Sequence, residues 1–334
     1  MNAQQLHGYN ETAAIVIAFT LNSLLVFCVL KENDRFLRAY KNVILFGCFS
    51  EFLFIGIVTY VRPQVIFVEN ALVVVLSGPF HGASQTHLNV ATCFFVWSIC
   101  YDCTKLLIEF TARYQIVCNG TRPTVLRLFS MTAAVYIGTS FQVICFYTSF
   151  ASNPIAYRDL LLSDSTWTED VRLAASDTRT WGCRAFVLGG TIATIVTYGI
   201  IFVCSRKITF VLSAQSAVFS PKTQKLQRGL SYMLFLQAIV PICISIVPAT
   251  LSLIALLLGF GSKWLSLLIS MMLHWTPCVG PAFTLMCIPT YRSRICSLFC
   301  FRFTSKSTTS IAPIDSRLRS SRIILPELNR HTFY

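Results

Sequence analysis

Apolar positions in this chain come in long blocks, with neither the two-residue alternation of a half-buried strand nor the narrow stripe of a surface helix. About 20 helical residues cross a hydrocarbon core of about 30 Å, so a window of about 19 residues is the natural probe. Seven segments pass: Ala13–Leu30, Val43–Val61, Asn89–Leu107, Leu128–Phe150, Ala185–Ser205, Leu230–Leu258 and Leu265–Ile288. Their pattern predicts an all-α membrane protein, a seven-helix bundle. The first block has no basic residue before it and no small-residue exit before Lys31, so it is kept as a span and not read as a cleaved signal. A shorter apolar run, Ala71–Leu76, cannot span; it ends at Gly78-Pro79 and is expected to be an extracellular connection leading into an extended third helix.

Composition agrees. Of 334 residues, 54% are hydrophobic and 12% charged, with a mean hydropathy of +0.63; a soluble domain carries about 25% charged residues. The net charge of +13 would suggest nucleic acid in a soluble protein. Here its placement carries the information, and no nucleic-acid partner is expected. Lys and Arg in the successive segments outside the spans number 0, 4, 1, 3, 4, 5, 1 and 8, which is 20 on one side and 6 on the other. The positive-inside rule therefore predicts the N-terminus outside and the C-terminus cytoplasmic. This divides the chain into an extracellular segment 1–12, a seven-transmembrane bundle 13–288 and a cytoplasmic tail 289–334. Asn10-Glu11-Thr12 is a glycosylation sequon on the outer side.

Three charges fall inside spans: Glu51, Asp102 and Lys105. A charge at mid-bilayer costs about 2.5–3.5 kcal/mol on insertion scales, so these should face inward and pair. Glu51 lies ~16 Å along the second helix from Tyr40, and Lys105 ~12 Å along the third from Arg113. These depths predict a Glu51–Lys105 pair, with Asp102 one turn from Lys105 on the same face. Such a cluster is either a polar switch or glue between helices. It also leaves a transporter or ligand-gated channel as the rival reading.

Local patterns narrow the choice. The first span holds Leu21-Asn22-Ser23-Leu24-Leu25, and the loop after it Arg35-Phe36-Leu37-Arg38-Ala39-Tyr40-Lys41. Gly78-Pro79 precedes the third span, which runs out through Phe110-Thr111-Ala112-Arg113-Tyr114. The sixth opens after Lys222-Thr223-Gln224-Lys225-Leu226-Gln227-Arg228 and contains Gln237, Pro241 and Pro248. The seventh holds His274-Trp275-Thr276-Pro277 and Gly280-Pro281, then exits through Pro289-Thr290-Tyr291-Arg292. In order and spacing, over residues 15–296, this resembles the nematode serpentine chemoreceptors of the Str superfamily, most closely class delta (Srd).

The resemblance implies a seven-transmembrane G-protein-coupled receptor of chemosensory neurons, placed in the plasma membrane of their cilia. It would bind a small-molecule or peptide ligand and activate a heterotrimeric G protein. Phe80 stands where the family often has a Cys, so the usual disulfide to the second extracellular loop lacks its first partner. Cys93 and Cys183 remain as disulfide candidates. Arg113-Tyr114 resembles the Arg-Tyr signature of receptors, with Ala112 in place of the usual acid.

Arg113, Tyr114, Lys222, Lys225, Arg228, Tyr291 and Arg292 are the expected G-protein face. Trp97, Gln142, Tyr147, His274 and Trp275 are candidates to line an outward pocket. The alternating basic and apolar residues from Tyr291 to Arg302 suit a helix on the inner leaflet, in contact with membrane lipid, with Cys296 and Cys300 as palmitoylation candidates. Thr304–Ser310, rich in Ser and Thr, is a phosphorylation candidate. No zinc-binding His-Glu-x-x-His or Gly-x-Ser-x-Gly is present, so neither enzyme activity nor a cofactor is expected.

Overall fold

The computed structural model describes residues 3–32, 35–68, 71–121, 123–151, 154–162, 167, 171–214 and 263–299, with residues 232, 235, 236, 239, 242 and 243 between them. Four long helices form α1 (Ala3–Leu30), α2 (Arg35–Val61), α3 (Gln85–Cys118) and α4 (Val125–Tyr147). After the short α5 (Pro154–Leu162) comes the long α6 (Trp181–Ala214), and α7 (Lys263–Leu273), α8 (Thr276–Cys287) and α9 (Pro289–Phe299) close the order. Five of these are long and apolar enough to cross a membrane, and α7 with α8, bent by 49°, passes as one broken span. The sixth apolar segment, Leu230–Leu258, lies mostly outside the described residues, as do Gln237, Pro241 and Pro248.

α3 is the hub. It packs against α2, α4, α6 and the sheet, and its best window is the most buried of the spans. Its start is set by Ser84, whose hydroxyl accepts from the His87 N–H; Thr124 does the same for Arg127 at the start of α4. α4 and α6 instead turn Ile137, Phe141, Ile195 and Phe202 outward. Large apolar side chains on the outside suit a lipid solvent, where backbone groups are satisfied within the helices. Membrane-depth hydroxyls follow the same rule, as when Thr92 and Thr132 each donate to the carbonyl four residues back.

The short apolar run Ala71–Leu76 is a strand. With β1 (Pro63–Val68) and β3 (Leu173–Asp177), β2 (Ala71–Leu76) makes an antiparallel sheet in the order β1-β2-β3. β1 pairs with β2 from Pro63↔Leu76 to Val68↔Ala71, and β2 with β3 from Ala71↔Asp177 to Val75↔Leu173. β2 is apolar throughout because both its faces are covered. Val74 and Leu76 join the bundle cluster with Phe54, Phe80 and Phe146, whereas Ala71, Val73 and Val75 pack with Leu161 of α5. At the outer edge of the sheet, the Val65 and Phe67 N–H groups donate to Ser270 Oγ and Ser266 Oγ of α7, at 3.2 and 3.0 Å. Two serines one turn apart thus serve the two edge donors a strand presents at alternate residues.

α1 begins at Ala3, ten residues before the predicted span, so most of the segment 1–12 is helix continuous with that span. The chain then turns sharply between α2 and β1, where Arg62 has φ 48 and Ser77 N–H closes onto the Arg62 carbonyl. Gly78 lies so close beneath Tyr60 that a Cβ there would meet the Tyr60 carbonyl oxygen, which explains the Gly before Pro79.

Candidate functional site

The interior polar residues lie along one stripe of α3. Lys105 Nζ, buried, donates to both Glu51 of α2 and Asp102 one turn back. The expected triad is brought together, with one cation shared by two carboxylates. Ser50, next to Glu51, lies 3.3 Å from the Tyr101 hydroxyl, so the helix contact around the triad is hydrogen-bonded as well as ionic. One turn further along is Glu109, which the sequence reading did not single out, and one turn beyond that is Arg113. Glu109 interacts electrostatically with both Lys105 and Arg113 and so links the two cations. Asp102, Lys105, Glu109 and Arg113 follow the three- and four-residue spacing of a helix face. That spacing was the signal by which Glu109 could have been found.

Arg113 is buried, 3% exposed, and its guanidinium carbon lies 5.8 Å from the centre of the buried Tyr40 ring. The cation faces inward, not toward lipid headgroups. Glu109, four residues earlier, is the acidic residue whose charge acts on it. A cavity of about 40 Å³ lined by Asn22, Gly47, Glu51, Glu109, Arg113 and Thr284 joins this pair to the triad. That volume has room for bound water. Tyr114 points the other way, into a cleft of about 1130 Å³ between α3 and α6 with Arg206 and Lys207; the Lys207 ammonium sits 5.7 Å from the Tyr114 ring.

Tyr291 is not on an exposed face. It is fully buried among Leu25, Leu37, Tyr40 and Ile288, because α9 folds back on the ends of α1 and α2; burial pushes its phenol above the ordinary value. Arg292 is exposed. Arg294 supplies the clamp instead, donating to the Cys28 carbonyl at 2.8 Å and pairing with Glu32 at 3.4 Å. Lys222, Lys225 and Arg228 lie outside the described residues, as do Cys300 and Thr304–Ser310; Cys296 is exposed at the end of α9.

The five pocket candidates do not converge. Trp97 stacks on Tyr101 and Tyr136 at 5.7 and 5.1 Å, between α3 and α4. Gln142 lies beside Gly189 and Gly190 of α6. Tyr147 is exposed against Phe150. His274 and Trp275 turn to α1: His274 meets the His7 ring edge-on at 5.2 Å, and Trp275 Nε1 donates to Asn10 Oδ1 at 3.0 Å. A residue's place along a helix does not say which way it faces.

Asn10 also changes role. Its Nδ2, the atom a glycan would use, donates to the Met271 carbonyl at 3.2 Å, so this sequon is consumed in joining α1 to α7. The Cys93–Cys183 disulfide is absent as well. Both are free and buried, Cys93 within the cluster of Phe95 and Phe146, and Cys183 beside Ser176 under the sheet.

Comparison with known proteins accounts for this architecture. "Serpentine receptor class delta-19" of Caenorhabditis elegans is 24% identical over 289 residues, covering 82% of each chain. "Serpentine receptor class delta-18" of the same organism is 22% identical over 232 residues, 68% of each chain. Among solved structures, squid rhodopsin superposes with a TM-score of 0.58 over 88% of this chain and 85% of its own, at 13% identity, a likeness of fold. The family model described as "Serpentine type 7TM GPCR chemoreceptor Srd" matches residues 9–297. The chain therefore belongs to the Srd family of seven-transmembrane serpentine chemoreceptors.

Proposed function

We propose that this receptor binds an external small molecule or peptide and activates a heterotrimeric G protein from the plasma membrane of a sensory cilium, with the N-terminus outside and the tail in the cytoplasm. The 20-to-6 division of Lys and Arg supports that orientation. One observation carries the signalling role: Arg113 is buried over the Tyr40 ring and shares a small cavity with Glu109, while its neighbour Tyr114 already lines the Arg206/Lys207 cleft. A cation stored one residue from a largely apolar cleft that carries Arg206 and Lys207 can be held in an off state and released toward a partner. Such a cleft attracts the acidic, apolar C-terminal helix of a G-protein α-subunit.

A ligand that binds the open form better shifts the population toward it, and that shift is the signal. Lys222, Lys225 and Arg228, basic residues of the third cytoplasmic loop in the sequence, would add to the attraction of such a partner, and a palmitoylated Cys296 and Cys300 would hold the tail to lipid. The test is expression with a G-protein reporter and a screen of odorants, ascarosides and peptides. Ligand-evoked reporter activity is expected. Ligand-evoked current in cells lacking the G protein would replace this reading with a channel.

A further inference from the structure

At the sheet end of the bundle, the start of α1, the α2–β1 corner and the β2–α3 connection enclose a cavity of about 560 Å³. None of the five aromatic and polar residues expected to line a pocket borders it. Its polar wall includes His7, Glu11, Arg62, Gln64, His81 and Arg172. The volume falls within the range of about 300–1,000 Å³ usual for small-ligand sites.

Glu11 is 4% exposed, yet its Oε1 has no hydrogen-bond partner among the described residues. The nearest cation, Arg62 Nε, is 3.8 Å away, beyond hydrogen-bond reach. A buried carboxylate oxygen without a donor is costly, and Arg62 at that distance offsets the cost only in part, which leaves the Glu11 carboxylate under-compensated at the cavity wall. Two guanidinium groups share the same wall. Arg62 has a side chain 47% exposed, and Arg172 is braced through Nη2 on His81 Nδ1 at 2.8 Å. A guanidinium fork matches a carboxylate.

The backbone aims the first of these. Arg62 is the non-glycine residue of positive φ among those described. It is held there by its N–H on the Val58 carbonyl at 2.8 Å and by the Ser77 N–H on its own carbonyl at 3.1 Å. Non-glycine residues in this region persist where the surroundings over-determine them, and they cluster at ligand sites.

We propose that this vestibule binds a free α-amino acid, its ammonium on Glu11 and its carboxylate on the Arg62/Arg172 side; the assignment rests on the receptor reading above. A carboxylate and a guanidinium 3.8 Å apart complement two opposite charges carried on one carbon. Neither a simple amine nor a simple acid satisfies both.

The test is direct binding to the full-length receptor in lipid nanodiscs, so that it does not depend on coupling. The probes are the free L-amino acids, each compared with its decarboxylated amine and its deaminated acid. Saturable binding of at least one amino acid is expected, weakened about ten-fold or more by loss of either charge. Glu11→Gln and Arg172→Gln should weaken it similarly; Arg172 is only half-buried, so its variant remains informative if Glu11→Gln fails to fold.

Binding of an amino acid without G-protein activation would support the site and overturn the receptor reading. No binding by any amino acid to folded receptor would overturn the site. So would an amine or acid binding as tightly as its parent, or affinity unchanged in both variants.

Discussion

Asn22 Nδ2 of α1 donates to the Pro277 carbonyl of α8 at 3.2 Å, and to its own helix at Ala18. Within α8 the Pro277 carbonyl should accept from the residue four positions on, which is Pro281 and has no N–H. The side chain of one span therefore replaces a backbone bond that proline removes from another. This accounts for a buried Asn in the middle of the first membrane span.

Asn22→Ala should destabilise the bundle by about 1–3 kcal/mol, the cost of a buried carbonyl left unsatisfied. In a Pro281→Ala background, where the substituted residue supplies the missing N–H, the same change should cost much less. Thermal unfolding of the single and double variants in detergent measures this coupling; simple additivity would show that the two sites are independent.

Lys105→Met leaves Glu51 and Asp102 buried without their cation. We expect a loss of about 3–5 kcal/mol, seen as poor surface expression. Adding Glu51→Gln should restore part of it. Equal expression of the single and double variants would argue against Lys105 as the shared cation.

Arg113→Ala should abolish ligand-evoked G-protein activation while ligand binding and surface expression survive. Glu109→Gln removes the carboxylate that holds Arg113 inward, so it should raise basal signalling. Reporter activity without ligand distinguishes the two. Basal activity unchanged by Glu109→Gln would leave Glu109 a structural residue only.

Asn10 should carry no glycan, because its amide is bonded to Met271 and receives Trp275. Glycosidase treatment should leave Asn10→Gln and the parent with the same mobility. Orientation is then read from tags, with an N-terminal tag stained on intact cells and a C-terminal tag only after permeabilisation. The reverse staining would invert the bundle.

Much of the architecture was legible in the chain. Block length and apolarity mark spans because a bilayer imposes one thickness on every helix. The Glu51–Lys105 pair was legible too, since two opposite charges at matched depth in hydrocarbon have few other partners. Arg113 was found by its place at the end of α3, but not its burial. Its partner Glu109 was overlooked although the helical spacing of α3 carries it.

Other features needed the fold. Ala71–Leu76 is as apolar as a fragment of a span, and only its two covered faces make it a central strand. Asn10 obeys the sequon rule, yet the docking of α1 on α7 takes its amide. Trp97, Gln142, Tyr147, His274 and Trp275 face different ways, because rotation about a helix axis is fixed by packing against neighbours. The Glu11–Arg62–Arg172 vestibule joins residues from α1, the α2–β1 corner and the segment before β3. Hydropathy is a local property that survives in one dimension. Which side chains meet across the bundle is a long-range property, and only packing sets it.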